Sequence, residues 1–150
     1  MKMNNNEKII HIMIGGIGTG KTTLANKLSQ EMSIEILRAD DSDYEDESKL
    51  FEDYLNLLDN EKSFILDGKY LDKKTRQHFI KYAKNCGYDC IGYDFGPGNG
   101  ISLKRRLNNP GNYSSKEWIK DYRKDRTSYQ QPQLNEGFKK IIRNESNYFK

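Results

Sequence analysis

Cysteine, proline, histidine and tryptophan are all scarce in this chain: two, three, two and one, respectively, in 150 residues. Two cysteines cannot build a disulfide framework. Cys86 and Cys90 are four residues apart with no further Cys or nearby His, so they cannot complete a zinc site either. Both are expected to be reduced, partly buried small hydrophobes. No stretch approaches the ~20 apolar residues that a membrane-spanning helix needs. Met1–Glu7 is polar, and the apolar run after it feeds straight into a glycine-rich loop. That run reads as a strand and not as a signal peptide, and the expectation is a cytoplasmic protein with no membrane partner. No repeat, low-complexity tract or Pro/Gly/Ser-rich linker divides the sequence, so residues 1–150 are expected to form one domain around one core. His11 falls inside the first strand and His78 on a helix, and both are expected to be structural.

Charge is present in quantity but unevenly spread. The net charge is only +3, yet residues 1–60 hold 6 Lys/Arg against 12 Asp/Glu, whereas residues 61–150 hold 19 against 10. A basic second half fits a polyanionic partner, or equally a solvated surface around a triphosphate site.

The most specific pattern is Gly15-Gly16-Ile17-Gly18-Thr19-Gly20-Lys21-Thr22, followed by Thr23. It has the glycine, four residues, then Gly-Lys-Thr of a phosphate-binding P-loop. A dinucleotide fingerprint fails, because Lys21 stands where its third glycine would have to be. The context is also that of a phosphate site. The apolar run Ile9–Ile14 predicts a buried strand before the loop, and Leu24, Ala25, Leu28 and Met32 mark one face of a helix after it. Glycines let backbone N–H groups turn onto a phosphate without Cβ clashes, and the helix N-terminus adds partial positive charge. Lys21 offers a point charge to the β/γ-phosphates, and the Thr22 hydroxyl is placed to ligate Mg²⁺.

Strand and helix signals then alternate to the end, predicting an α/β fold with a five-stranded parallel sheet and helices on both faces. Strands are expected near residues 8–14, 34–37, 64–66 and 90–95. The tract 138–143 is read as the fifth, because the sheet otherwise lacks one. A helix over residues 72–85, with Asp72 as N-cap, should turn Phe79, Tyr82, Ala83 and Cys86 inward. Ser114 or Ser115 should cap a helix carrying Trp118, Tyr122 and Arg126.

Phosphoryl transfer needs a held triphosphate, mobile cations and a base for the acceptor. Lys104-Arg105-Arg106 lie on a short basic helix after the fourth strand, where a lid of about residues 100–113 would sit. Asp40 and Asp41 directly follow the second strand, at the carboxyl edge of the sheet. A carboxylate there can accept a hydroxyl proton, and Asp40 is the candidate base. Asp67 ends the third strand, where a second carboxylate meets a metal or its water, so Thr22 and Asp67 are the candidate Mg²⁺ residues.

The order of these pieces resembles the kinase domain of the polynucleotide 5′-hydroxyl kinases of bacteriophages and animal DNA repair. The resemblance runs over about residues 8–143. The P-loop matches, with Ile17 where the family usually has Pro. Arg38-Ala39-Asp40 stands at the family's Asn-Arg-Asp, which implies Asp40 as the base for the 5′-hydroxyl. Asp67-Gly68-Lys69-Tyr70 and the following Leu71–Arg76 are similar to its Asp-x-Thr-Asn segment and the Asn-Pro-x-x-Arg continuation. Lys104–Asn109 looks like the lid, implying Arg106 on the phosphates, with Arg105 serving for a second lid arginine whose place is taken by Pro110. Tyr122-Arg123-Lys124 and Gln131-Pro132-Gln133-Leu134-Asn135-Glu136-Gly137-Phe138 closely resemble the animal enzymes' segment beside the nucleotide base. That implies Pro132 near the base and supports a strand at 138–143.

The resulting expectation is an ATP- and Mg²⁺-dependent kinase acting on the 5′-hydroxyl of DNA or RNA, with catalytic Asp40, Lys21, Arg106 and Arg105. The alternatives are a kinase of a nucleoside, nucleotide or sugar, and a nucleotide-dependent binding switch with no acceptor. The Asn-Lys-x-Asp motif of GTP-specific switches does not occur.

Overall fold

The computed structural model describes residues 7–39 and 47–143. Five strands form a wholly parallel sheet: β1 (Ile9–Ile14), β2 (Glu35–Arg38), β3 (Phe64–Asp67), β4 (Asp89–Asp94) and β5 (Phe138–Arg143). They lie in the order β2-β3-β1-β4-β5. The chain thus places β2 at one edge, inserts β3 between it and β1, and then crosses to the other side of β1. In open parallel sheets, ligands gather at the carboxyl ends beside such a reversal. The tract 138–143 is a strand, as its sequence suggested.

Alternation on β1 divides the core. Ile10, Ile12 and Ile14 face α2 (Glu47–Asp59) and α3 (Lys73–Asn85), in a cluster with Leu50, Tyr54, Leu58, Phe79, Ile80 and Ala83. Met13 faces the other way, with Ile65, Tyr93 and Phe95, against Ala25 and Leu28 of α1 (Lys21–Met32). Burial on both faces explains why these strands read as continuous apolar runs. The Asp72 carboxylate caps α3 at the Thr75 amide, and Ser114 caps α5 (Ser115–Ser128) in a reciprocal box with Glu117.

The inward face of α3 differs from expectation. The helix buries Arg76, Phe79, Ile80 and Ala83, whereas Tyr82 is 39% exposed and Cys86 is exposed. The face is rotated because Arg76, which its charge would place outside, goes inward to a carboxylate partner, Glu136. Only Cys90 is a buried thiol, and burial pushes its pKa up to about 12. Among the described residues no helix is long and apolar enough to cross a membrane.

Sheet register concentrates charge at one edge. Arg38 is level with Asp67, and Asp94 is level with both Ile14 and Arg143. Four strands therefore end on charged residues, and the remaining one, β1, runs directly into the glycine-rich loop.

Candidate active site

The loop is held by its early amides. Gly15 N–H donates to Lys69 O at 3.0 Å and Gly16 N–H to Gly96 O at 2.9 Å. Ile17 N–H donates to Asp125 Oδ2 at 3.0 Å. Two glycines are there because backbone approaches them closely. A Cβ on Gly16 would lie 2.1 Å from Pro97 O. One on Gly18 would lie 2.2 Å from Ser102 O, with φ already at +66°. These contacts press the loop against the chain after β4 and against α4 (Gly100–Asn108).

The later half of the loop lines a pocket. Gly18, Thr19, Gly20, Lys21, Thr22 and Thr23 enclose about 320 Å³ together with Arg105, Arg106 and Asn109. Helix α1 begins at Lys21 after a left-handed Gly20 and has no side-chain cap. Its first-turn amides and dipole are therefore available to an anion. The Lys21 ammonium is mostly buried and donates to Gly16 O at 3.0 Å. Arg105 donates to Gly18 O at 3.2 Å. The Arg106 guanidinium carbon lies 5.2 Å from the centre of the Trp118 ring, a cation–π arrangement. The Trp118 ring is itself fixed by Nε1 donating to Pro110 O at 2.8 Å.

At the neighbouring strand end, Thr22 Oγ1 donates to Asp67 Oδ2 at 3.0 Å. The same oxygen accepts from Arg38 Nη1 at 2.7 Å, and the Asp67 side chain is only 5% exposed. Arg38 Nη2 also donates to Asn26 Oδ1. A hydroxyl and a carboxylate in contact, beside a phosphate loop, are hard oxygen donors of the kind Mg²⁺ uses when substrate phosphates supply further ligands. The residues present fit that ion. Among the described residues no cluster of three or more His, Cys, Asp or Glu forms an all-protein metal cage.

The structure brings Lys21, Thr22, Asp67, Arg105 and Arg106 around the loop, and it places Pro132 elsewhere. Pro132 is buried and does not line this pocket. Its carbonyl accepts from Arg143 Nη2 at 3.0 Å, and Arg143 Nη1 pairs with the fully buried Asp94. Asp94 also accepts from Tyr129 Oη and Gly96 N–H, and this network connects Pro132 to the loop, since Gly96 O accepts from Gly16 N–H. Asp40 lies outside the described residues. Ala39, just before it, is anchored at the same sheet edge by its N–H to Asp67 O at 2.8 Å.

A second pocket of about 550 Å³ opens beside Ala39, between α2 and α3. Phe51, Tyr70 and His78 line it, as do Lys69, Lys74 and Lys81. The Phe51 and His78 rings are 4.6 Å apart. A larger cavity, about 580 Å³ around His11 and Tyr93, shares no lining residue with the loop pocket. His11 Nδ1 and Tyr93 Oη share a 2.7 Å hydrogen bond, and burial lowers the His11 pKa to about 4. His78 is exposed and stacked.

Arg38, Lys69, Trp118 and Asp125 enter the site without having been singled out for it. Lys69 and Asp125 meet partners far away in sequence, 56 residues apart for their own pair and 108 for Asp125 with Ile17, whereas Trp118 meets Pro110 and Arg106 nearby. The only local sign was the altered triplet that begins at Arg38.

A P-loop, kinase-like α/β fold is the class defined by this sheet, loop and basic helix. The family described as "ATPase family associated with various cellular activities (AAA)" matches residues 11–77. That is the stretch from β1 into α3, less than half of the chain. No curated protein matches in sequence. Solved structures share the fold at low identity. A fungal RNA kinase is 17% identical at a TM-score of 0.67, over 94% of this chain and 76% of that one. A gluconokinase from Sinorhizobium meliloti 1021 is 10% identical at 0.61, over 94% and 83%. Kti12 from Chaetomium thermophilum, in complex with ADP-AlF3, is 17% identical at 0.63, over 89% and 87%.

Proposed function

We propose that this protein is an ATP- and Mg²⁺-dependent kinase whose acceptor is the 5′-hydroxyl end of DNA or RNA. The observation that carries the transferase reading is the convergence of Arg105 and Arg106 with Lys21 on one pocket at the P-loop. A transferring phosphoryl group spreads charge over its equatorial oxygens, and planar guanidinium groups suit that charge. A loop that only held nucleotide would not need cations supplied by a separate helix. In this reading the whole chain acts as one kinase domain, and α4 with the turn to residue 113 is its lid.

Lys21, Arg105 and Arg106 stabilise the moving group, and Thr22 with Asp67 holds Mg²⁺. When bound, that ion neutralises charge on the phosphate oxygens. Asp40 takes the acceptor's proton as the acceptor oxygen bonds to the γ-phosphorus and the bond to ADP breaks. Pro132 helps to shape the base side of the nucleotide site through Arg143 and Asp94. The pocket beside Ala39 supports the polynucleotide acceptor. It borders the residue before Asp40 and pairs aromatic faces with Lys74 and Lys81, a combination suited to stacked bases and a phosphate backbone. The fungal RNA kinase of similar fold is in keeping with this reading.

A nucleoside, nucleotide or sugar acceptor is the second reading, favoured by the same pocket's size, which lies within the range of small-ligand sites. The test is transfer of labelled γ-phosphate from ATP to a panel of 5′-hydroxyl DNA and RNA oligonucleotides, nucleosides, nucleoside monophosphates and sugars, beside Asp40→Asn and Lys21→Ala. The expected result is label on oligonucleotides, lost in both variants and weakening steeply with salt. Label on small acceptors alone, insensitive to salt, would replace the nucleic acid with a small substrate. No transfer to any acceptor, with nucleotide binding intact, would favour a binding switch.

A further inference from the structure

One of the three anchors of the P-loop is a buried carboxylate, which is unexpected beside a site for anions. Asp125 Oδ2 accepts from Ile17 N–H at 3.0 Å. Its Oδ1 accepts from Lys69 Nζ at 2.9 Å, and its side chain is 3% exposed. Lys69 grips the loop a second time through its carbonyl, which accepts from Gly15 N–H at 3.0 Å. The contact is close elsewhere too, since a Cβ on Gly16 would lie 3.4 Å from Asp125 Cβ. The β3–α3 connection and α5 therefore meet on the first half of the loop.

Each part of this arrangement answers a physical need. Ile17 is buried, 4% exposed, and a buried amide must have an acceptor. A carboxylate makes the stronger, charge-assisted bond. Left alone, that buried carboxylate would repel a triphosphate held at the loop. The Lys69 ammonium removes the net charge while leaving the acceptor in place. A proline at position 17 would have no N–H to be held.

We infer that Asp125 and Lys69 form a charge-balanced clamp that sets the anion affinity of the P-loop. Asp125 fixes the loop through Ile17, and Lys69 cancels the charge that this anchor introduces. Both are positioning residues. The inference rests on nucleotide binding at the loop and is independent of the acceptor.

The experiment is calorimetric titration of ADP with Mg²⁺ into the full chain and three variants: Lys69→Met, Asp125→Asn and the double substitution. Thermal unfolding without nucleotide reports whether each is folded. Lys69→Met strands a negative charge beside the loop and should weaken ADP about tenfold or more. Adding Asp125→Asn removes that charge, keeps a carbonyl acceptor for Ile17, and should return affinity to within about threefold of wild type, a coupling outside the additive range. If Lys69→Met does not fold, Lys69→Gln makes the same comparison while keeping a hydrogen-bond donor. Wild-type affinity in the Lys69 variant, or a double variant no tighter than the single, would overturn the clamp. Wild type that fails to bind ADP would overturn the nucleotide reading along with it.

Discussion

Replacing Arg76 by methionine should remove a large share of the protein's folding free energy. The Arg76 side chain is completely buried and its guanidinium makes five hydrogen bonds. Two go to Glu136, at 2.7 and 3.1 Å. Three go to backbone carbonyls, Tyr70 at 2.9 Å, Leu71 at 2.8 Å and Gln130 at 2.9 Å. Methionine fills the volume but offers no donor. Glu136, 1% exposed on its side chain, would keep only the Gln133 amide among these partners, at 2.8 Å. Breaking one side of a buried pair costs about 3–5 kcal/mol, and we expect about 4 here. Total stabilities of domains are about 5–15 kcal/mol, so the variant should unfold at much lower denaturant. Glu136→Gln should cost about 3 kcal/mol by the same reasoning, since a buried guanidinium keeps its carbonyls but loses its counter-ion. The double variant should be less destabilised than the sum by at least about 1.5 kcal/mol, the signature of one shared interaction. Urea titration of the four proteins gives all these values. An Arg76→Met cost below about 1 kcal/mol, or strict additivity, would refute the view that this pair locks α3 to the segment before β5.

Three further outcomes test other parts of the molecule. His11 holds its pKa near 4 when folded against 6.5 unfolded, so the unfolded chain binds the proton first as pH falls. Folding free energy should be unaffected above pH 6.5 and lower by about 2.5 kcal/mol at pH 4.5 from this residue alone; a His11→Gln variant with an equally steep acid limb would contradict it. Gly18→Ala and Gly111→Ala both place a side chain at positive φ, but only at Gly18 does the new Cβ meet backbone, while nothing lies within 4 Å of it at Gly111. Both should lose about 1–2 kcal/mol from the left-handed conformation; Gly18→Ala should lose more and also weaken ADP, whereas equal thermal shifts would argue against tight docking of α4 on the loop. A thiol reagent should label one cysteine, Cys86, in the native protein and both in denaturant, because Cys90 is buried with its thiol pKa pushed up; rapid native labelling of both would be incompatible with this core.

Features set by neighbours in sequence could be read directly from it. The P-loop, the strand before it, the Asp72 and Ser114 caps and the strand at 138–143 each depend on a few adjacent residues. The phase of α3 did not follow, because its periodicity permits more than one face. Arg76 was drawn inward by Glu136, 60 residues away. Arg38 was visible as an altered neighbour of Asp40, but not as a partner of Asp67 and Asn26.

By itself, then, the amino-acid order determined that residues 15–22 form a P-loop pattern, and that this loop sits within a parallel α/β sheet. Local geometry suffices for that, since glycine spacing and a helix start are properties of adjacent residues. Only the tertiary structure decided which charges share the site. Asp125 reaches Ile17 across 108 residues, and Lys69 reaches Asp125 across 56. Buried charges and amides take whichever partner the packing brings within about 3 Å, and no spacing along the chain encodes that meeting.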